Sequence, residues 1–165
     1  MSNDVAQPIQ YFLQPGYIYC AKARATVSTV VGVCVAVSLW DAKRRFGAMN
    51  HFLYPRVNDP AKATPKYGNV ATIELVKMME EAGSRRADLI AQVLGGGRPR
   101  DAAGPDFGAQ NVEVALDVLN RKSIYVGSHD TGGSMGRKVS FDTGTGHLMV
   151  LKVHKLRAED WVLPE

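Results

Sequence analysis

The first third of the chain is written in short β-branched and aromatic runs separated by turn residues, a pattern of strands rather than helices. Tyr11-Phe12-Leu13 reads as a short strand turned by Pro15-Gly16, and Tyr17-Ile18-Tyr19-Cys20 as the next. Thr26-Val27-Ser28-Thr29-Val30-Val31 follows. Gly32 interrupts that run, and Cys34-Val35-Ala36-Val37-Ser38-Leu39-Trp40 resumes it as far as Asp41. After a basic turn, Gly47-Ala48-Met49-Asn50-His51-Phe52-Leu53-Tyr54 continues to Pro55. The period then changes. Residues 67–82 place Val70, Ile73, Leu75, Val76, Met78 and Met79 at helical spacing, with Gly83 where a C-terminal cap belongs. Residues 109–120 place Val112, Ala115, Leu116 and Leu119 at i, i+3, i+4 and i+7, a second amphipathic helix.

Between the two helices, residues 88–94 read as a buried strand that runs into Gly95-Gly96-Gly97-Arg98-Pro99-Arg100. Strands return at residues 123–127, 138–141 and 147–153. The turn Asp130-Thr131-Gly132-Gly133 precedes the last two, and Asp142-Thr143-Gly144-Thr145-Gly146 joins them as a hairpin. No internal repeat or linker interrupts the pattern. The expectation is a mixed α/β fold in one domain over residues 10–165, a mixed β-sheet core covered by two main helices, behind a flexible N-terminus at residues 1–9.

Composition narrows the class. At 165 residues, 45% hydrophobic and 22% charged, the chain has the make-up of one ordinary globular domain. Its longest apolar stretch, residues 30–39, is short of the roughly 18 residues that a membrane span needs. The start of the chain lacks a basic segment followed by an apolar one, so no secretory signal is read and the cytoplasm is expected. The net charge of +4 is spread in small groups, several beside acids. That fits solvated faces and an acidic protein partner better than nucleic acid.

Two cysteines, Cys20 and Cys34, have neither the spacing of a zinc site nor the setting of a disulfide. Each is then buried filler or a nucleophile. Cys34 follows Gly32-Val33, where the strand breaks, and such a break can turn backbone N–H groups toward a reacting carbonyl. His51 lies on the next strand and could serve as base, with the hydroxyl of Ser28 or Thr29 orienting its ring. By the same logic Cys20 is a rival nucleophile. The residues alone leave a Cys/His hydrolase and an inert core cysteine both open.

Longer motifs add to this. Gly32-Val33-Cys34-Val35-Ala36-Val37, then Asp41, then Gly47-Ala48-Met49-Asn50-His51-Phe52-Leu53-Tyr54-Pro55 resemble the signature of the CheD chemoreceptor glutamine deamidase family. Tyr67-Gly68, Gly95-Gly96-Gly97, Gly108-Ala109-Gln110-Asn111-Val112 and Asp130-Thr131-Gly132-Gly133 continue the resemblance in order, over about residues 10–153.

The resemblance implies a CheD-like domain acting as a cysteine amidohydrolase in bacterial chemotaxis. Such an enzyme turns selected receptor glutamines into glutamates through a thioester, with receptor methylesterase activity as a side reaction. It maps the nucleophile to Cys34, the base to His51 and the third member to Ser28, where the family has threonine, with Thr29 as the next hydroxyl. Gly32, Val33, Thr131 and Gly132 are expected to bind substrate or wall the cleft. Val33 departs from the family's serine, and Gly97 from its alanine. No metal or organic cofactor is expected, because acyl transfer through sulfur supplies the chemistry. The implied partners are the cytoplasmic helices of chemoreceptors and a CheC-type phosphatase, with no nucleic acid and no direct membrane insertion. The alternative is a non-catalytic module that regulates such a phosphatase.

Overall fold

A computed structural model describes residues 7–161. Nine strands and two long helices follow in the order β1 (Ile9–Phe12), β2 (Ile18–Ala21), β3 (Ala25–Val31), β4 (Val35–Asp41), β5 (Phe46–Phe52), α1 (Gly68–Glu81), β6 (Leu89–Gly95), α2 (Phe107–Arg121), β7 (Tyr125–Thr131), β8 (Gly136–Asp142) and β9 (Leu148–Val153). None of the described helices is long and apolar enough to cross a membrane. Of the residues expected to fray, 1–6 lie outside the described ones, whereas Ile9 already pairs in β1.

The mixed α/β class and the two covering helices are as expected, but the strands divide into two sheets. One has the order β1-β3-β8-β9 and the other β2-β5-β4-β6-β7. Pairing is antiparallel except for β1 with β3 and β6 with β7. Both helices cover one face of the five-stranded sheet, and the four-stranded sheet covers the other. Two cores result. Val35, Val37, Leu39, Ala48 and Phe52 meet Leu75, Met79 and Leu119 on the helix side. Ala36, Met49 and Leu94 meet Val27, Val31 and Phe141 between the sheets. Strands buried on both faces explain why β4 and β5 read as continuous apolar runs rather than alternating ones.

Each helix ends in the same six-residue motif. Gly83, at φ +108°, lets the amide of Ser84 reach the carbonyl of Met79. At the end of α2, Ser123 takes φ +58° and the amide of Ile124 reaches the carbonyl of Leu119. The second stop carries no glycine and is invisible in the residue pattern. The first turn of α2 packs so closely on the loop after β6 that a Cβ on Gly108 would collide with the carbonyl oxygens of Gly96 and Gly97.

The register between β4 and β5 places the candidate residues, and a buried aspartate holds the turn that sets it. Asp41 pairs with Phe46 and is fully buried. Its carboxylate accepts from the amides of Lys43 (3.0 Å) and Arg44 (2.9 Å), from the Arg44 guanidinium (3.1 Å) and from the Ser84 hydroxyl (2.6 Å). Burial works to raise its pKa, and the bonds from Ser84, Arg44 and Lys43 more than reverse this, so it stays ionised at neutral pH. Replacing Asp41 by alanine leaves those donors without their acceptor. The expected cost is about 3 kcal/mol or more in urea unfolding, and a loss below about 1 kcal/mol would mean that the turn holds its own shape.

Candidate active site

His51 sits on β5 facing the four-stranded sheet and is fully buried. Its carbonyl is held by the amide of Gly16 (2.8 Å) in the turn after β1. Its Nδ1 lies 2.7 Å from the Thr29 hydroxyl, and that hydroxyl donates to the Leu13 carbonyl at 2.8 Å. A hydroxyl has one proton. With that proton given to Leu13, Thr29 can only accept from His51, so the ring carries its hydrogen on Nδ1. Nε2 is then an unprotonated acceptor, and it is buried with no partner among the described residues. Burial also pushes the imidazole pKa down to about 4, so the ring is neutral over the physiological range. A neutral ring with a bare Nε2 is the state a general base requires.

Ser28 makes no bond to His51. In a strand, neighbouring side chains point to opposite faces. Ala25, Val27 and Val31 point into the inter-sheet core, and Thr29 shares their face. Ser28 lies one residue out of phase, opposite Ser140, and lines a cavity on the outer side of the four-stranded sheet. The hydroxyl on His51 is therefore that of Thr29, a correction of one residue that changes the face.

Cys34 ends the bend at residues 32–34 and packs into the inter-sheet cluster. Ala36 pairs with His51, so Cys34, two residues back on the same face, is the diagonal neighbour of the imidazole. Diagonal positions in an antiparallel ladder stand about 7–8 Å apart, within reach of a thiol and a ring. No hydrogen bond joins Sγ to Nε2. Bonds of this kind commonly tighten only when substrate is in place. Burial pushes the Cys34 thiol up to about 11 from 9.0, with its own backbone N–H offsetting part of that effect. The resting pair is therefore neutral thiol and neutral imidazole. Cys20 lies on the other side of the sheet, its Sγ 3.9 Å from Met79 Sδ, against the helices and away from His51.

Three contacts fix the backbone around Cys34. The amide of Gly96 donates to the Cys34 carbonyl (2.9 Å) and that of Gly97 to the Gly32 carbonyl (2.9 Å). Asn111, in the first turns of α2 and fully buried, donates through Nδ2 to both the Val33 and the Leu53 carbonyls at 3.1 Å. One amide thus ties the segment before the thiol to the segment after the imidazole. Among the described residues, the amides of Gly32, Val33 and Cys34 meet no protein acceptor apart from the Cys34 sulfur. That leaves donors free where an oxyanion could form.

Gly32 and Val33 also wall a cleft of about 640 Å³, closed by residues 97–101, 134–136 and 154–156. Cys34 itself adjoins this cleft through Val33 and does not line it. Thr131 and Gly132, expected as cleft wall, do not line it either. Thr131 is carried into β7 by its pairing with Gly95, and the Gly132 amide bonds the Gly95 carbonyl (3.0 Å). The buried Arg137 grips the turn behind them. It donates to Asp130 (3.1 Å) and to the Gly132 carbonyl (2.9 Å), while the Gly133 carbonyl accepts from the amide of Arg98 (2.8 Å). The tetrapeptide supports the cleft, and the residues after it form the wall. Sequence reading missed the roles of Asn111 and Arg137; a buried asparagine at a helix start was the available signal for the first.

Two expectations follow from the protonation states. His51 titrates near 4 folded and near 6.5 unfolded, so only the unfolded chain takes up its proton between those values. Stability from this group is whole above pH 6.5 and falls as the pH drops toward 4, by on the order of 3 kcal/mol. His51→Asn is expected to flatten that part of the stability–pH curve, measured by urea unfolding at successive pH values. Alkylation of Cys34 by iodoacetamide is expected to climb through pH 9–11. A plateau near neutrality would instead reveal a thiolate–imidazolium pair.

Comparison with known proteins gives consistent neighbours. A family model described as "CheD chemotactic sensory transduction" matches residues 54–152, which begins just past His51. Proteins named "Probable chemoreceptor glutamine deamidase CheD" match along nearly the whole chain. That of Sulfurimonas denitrificans is 35% identical over 147 residues, covering 87% of this chain and 94% of its own. Those of Trichlorobacter lovleyi and Rhodospirillum rubrum are 38% and 40% identical, each over 91% of this chain and over 95% and 84% of their own.

Proposed function

The chain belongs to the CheD family, and on that premise we propose that it is a chemoreceptor glutamine deamidase with Cys34 as nucleophile, His51 as base and Thr29 as the residue that holds the base. The observation that carries this reading is the bond sequence from His51 Nδ1 through Thr29 to Leu13, which leaves Nε2 bare on the face it shares with Cys34.

The steps follow from the groups present. His51 Nε2 takes the Sγ proton as sulfur attacks the side-chain carbonyl carbon of glutamine, so thiolate forms only in the act of attack. The amides of Val33 and Cys34 hold the oxygen of the tetrahedral intermediate. His51 returns the proton to the amide nitrogen, the C–N bond breaks and ammonia departs, leaving a thioester on Cys34. Nε2 then draws a proton from water, whose oxygen attacks the thioester. Glutamate leaves and the thiol is restored. A methyl ester offers the same acyl carbon, with methanol as leaving group, so receptor methylesterase activity accompanies the main reaction.

The enzyme acts in the cytoplasm on the cytoplasmic helices of chemoreceptors. A non-catalytic role as regulator of a CheC-type phosphatase would be expected of a site that has lost a member. The Thr29 hydroxyl on His51 Nδ1, with Cys34 as the diagonal neighbour of that ring, supports the catalytic reading.

The test is mass spectrometry of a receptor cytoplasmic fragment after incubation with the protein. Wild type is expected to produce the amide-to-acid shift at defined glutamines and Cys34→Ala none. Thr29→Val, which allows the wrong tautomer, is expected to lose about 10²-fold or more in rate, and Thr29→Ser to stay within about tenfold of wild type. Ser28→Ala should leave the rate unchanged. Absence of any shift with folded, reduced wild type on several receptors would remove the deamidase reading.

A further inference from the structure

The cleft beside Val33 carries an imbalance of charge that the chemistry above does not use. Arg98, Arg100 and Lys155 line it together with His154, and among the described residues Asp101 is its one acid. Arg98 is committed to its own loop: it donates to the Gly104 carbonyl at 2.8 Å and lies 4.0 Å from Asp106. Arg100 and Lys155 are exposed, and neither has an acidic partner among the described residues. The closest polar partner of Arg100 is the Ser134 hydroxyl at 3.4 Å. Arginines elsewhere are largely spoken for, among them Arg24 with Asp142, Arg44 with Asp41 and Asp88, Arg56 with Asp117 and Arg137 with Asp130.

The position of this surplus gives it meaning. Val33 forms one wall and is 36% exposed, and it is bonded directly to Cys34, one Cα step of about 3.8 Å away. A volume of about 640 Å³ admits one or two side chains of a docked segment, not a folded domain. Side chains one turn apart on a helix lie about 5–6 Å from each other at Cβ. A helix that presents a glutamine to Cys34 and runs on past Val33 carries the side chain of the adjoining turn to this cleft.

We propose that Arg100 and Lys155 form a subsite for an acidic side chain one helical turn from the target glutamine, so that the protein selects glutamines flanked by carboxylates. This rests on the deamidase reading for its register. Arginine presents a planar fork suited to a carboxylate, and the lysine adds a mobile point charge. Arg100 Nε donates to the Ser134 hydroxyl, which tethers the guanidinium at the rim, and Asp101 pairs with neither Arg100 nor Lys155 among the described residues. The surplus favours acidic neighbours and repels basic ones, which is discrimination by both attraction and repulsion.

The experiment uses full-length protein in the Cys34→Ala form and two helical peptides differing only at the residues one turn from a central glutamine, glutamate in one and glutamine in the other. Binding is read by fluorescence anisotropy at low and high salt. The acidic peptide is expected to bind about tenfold tighter at low salt, with the advantage shrinking as salt rises. Arg100→Glu/Lys155→Glu is expected to abolish the preference and to favour a third peptide with lysine at those positions. That reciprocal gain separates a lost subsite from a misfolded variant.

Equal binding of the acidic and neutral peptides overturns the proposal, as does a preference that survives the double reversal. Displacement of the acidic peptide by a single-stranded oligonucleotide at equal concentration also overturns it, by assigning the charge to phosphate. Turnover of both peptides by the protein with Cys34 intact is measured alongside. Charge-dependent binding with no turnover supports the subsite while removing the deamidase reading. Turnover with no flank preference does the reverse.

Discussion

The proton on the Thr29 hydroxyl has one acceptor, the carbonyl of Leu13, and much of the site depends on that commitment. Because it is spent there, His51 must donate from Nδ1 and keep Nε2 bare. The three residues come from different places: Leu13 from just past the short parallel strand β1, Thr29 from β3 in the sheet that β1 joins, and His51 from β5 in the other. The relay therefore exists only when the two sheets are docked. The inter-sheet core of Val27, Ala36, Met49 and Phe141 provides that docking, so packing energy and the chemical state of one imidazole are linked.

Support for the segment around Cys34 is arranged in a similar way, from a third direction. The glycine loop after β6 bonds the carbonyls of Gly32 and Cys34, and Asn111 bonds those of Val33 and Leu53. Among the described residues, every hydrogen bond that reaches the segment of Gly32, Val33 and Cys34 from elsewhere in the chain goes to a carbonyl. Its amides are left over, and leftover amides at a bend are what an oxyanion needs. The close approach of Gly108 to Gly96 and Gly97 brings Asn111 within reach, and it leaves no room for a Cβ at positions 96 and 108.

Much of this was legible in the chain. Strand and helix positions followed from the change of hydrophobic period, and the residues around Cys34 and His51 identified the family. The division into two sheets was not legible, because it depends on which distant strands pair, and side-chain alternation carries no partner label. The error at Ser28 had an available remedy. Ala25, Val27 and Val31 mark the inner face of β3, and position 29 shares their parity while position 28 does not. The end of β7 was misread for a different reason. Asp130 and Thr131 have turn chemistry, but parallel pairing with Leu94 and Gly95 extends the strand through them. The stop after α2 used serine in a left-handed conformation, a choice that composition does not flag.

The neutral state of Cys34 reaches beyond turnover. Peroxide and mixed disulfides attack or are attacked by thiolates, and the rate follows the thiolate fraction. A sulfur held near pKa 11 is almost wholly protonated at rest and half-buried besides. The burial that raises the Cys34 thiol thus also lowers its reactivity toward oxidants, and Cys20, facing the opposite core, stands apart from it.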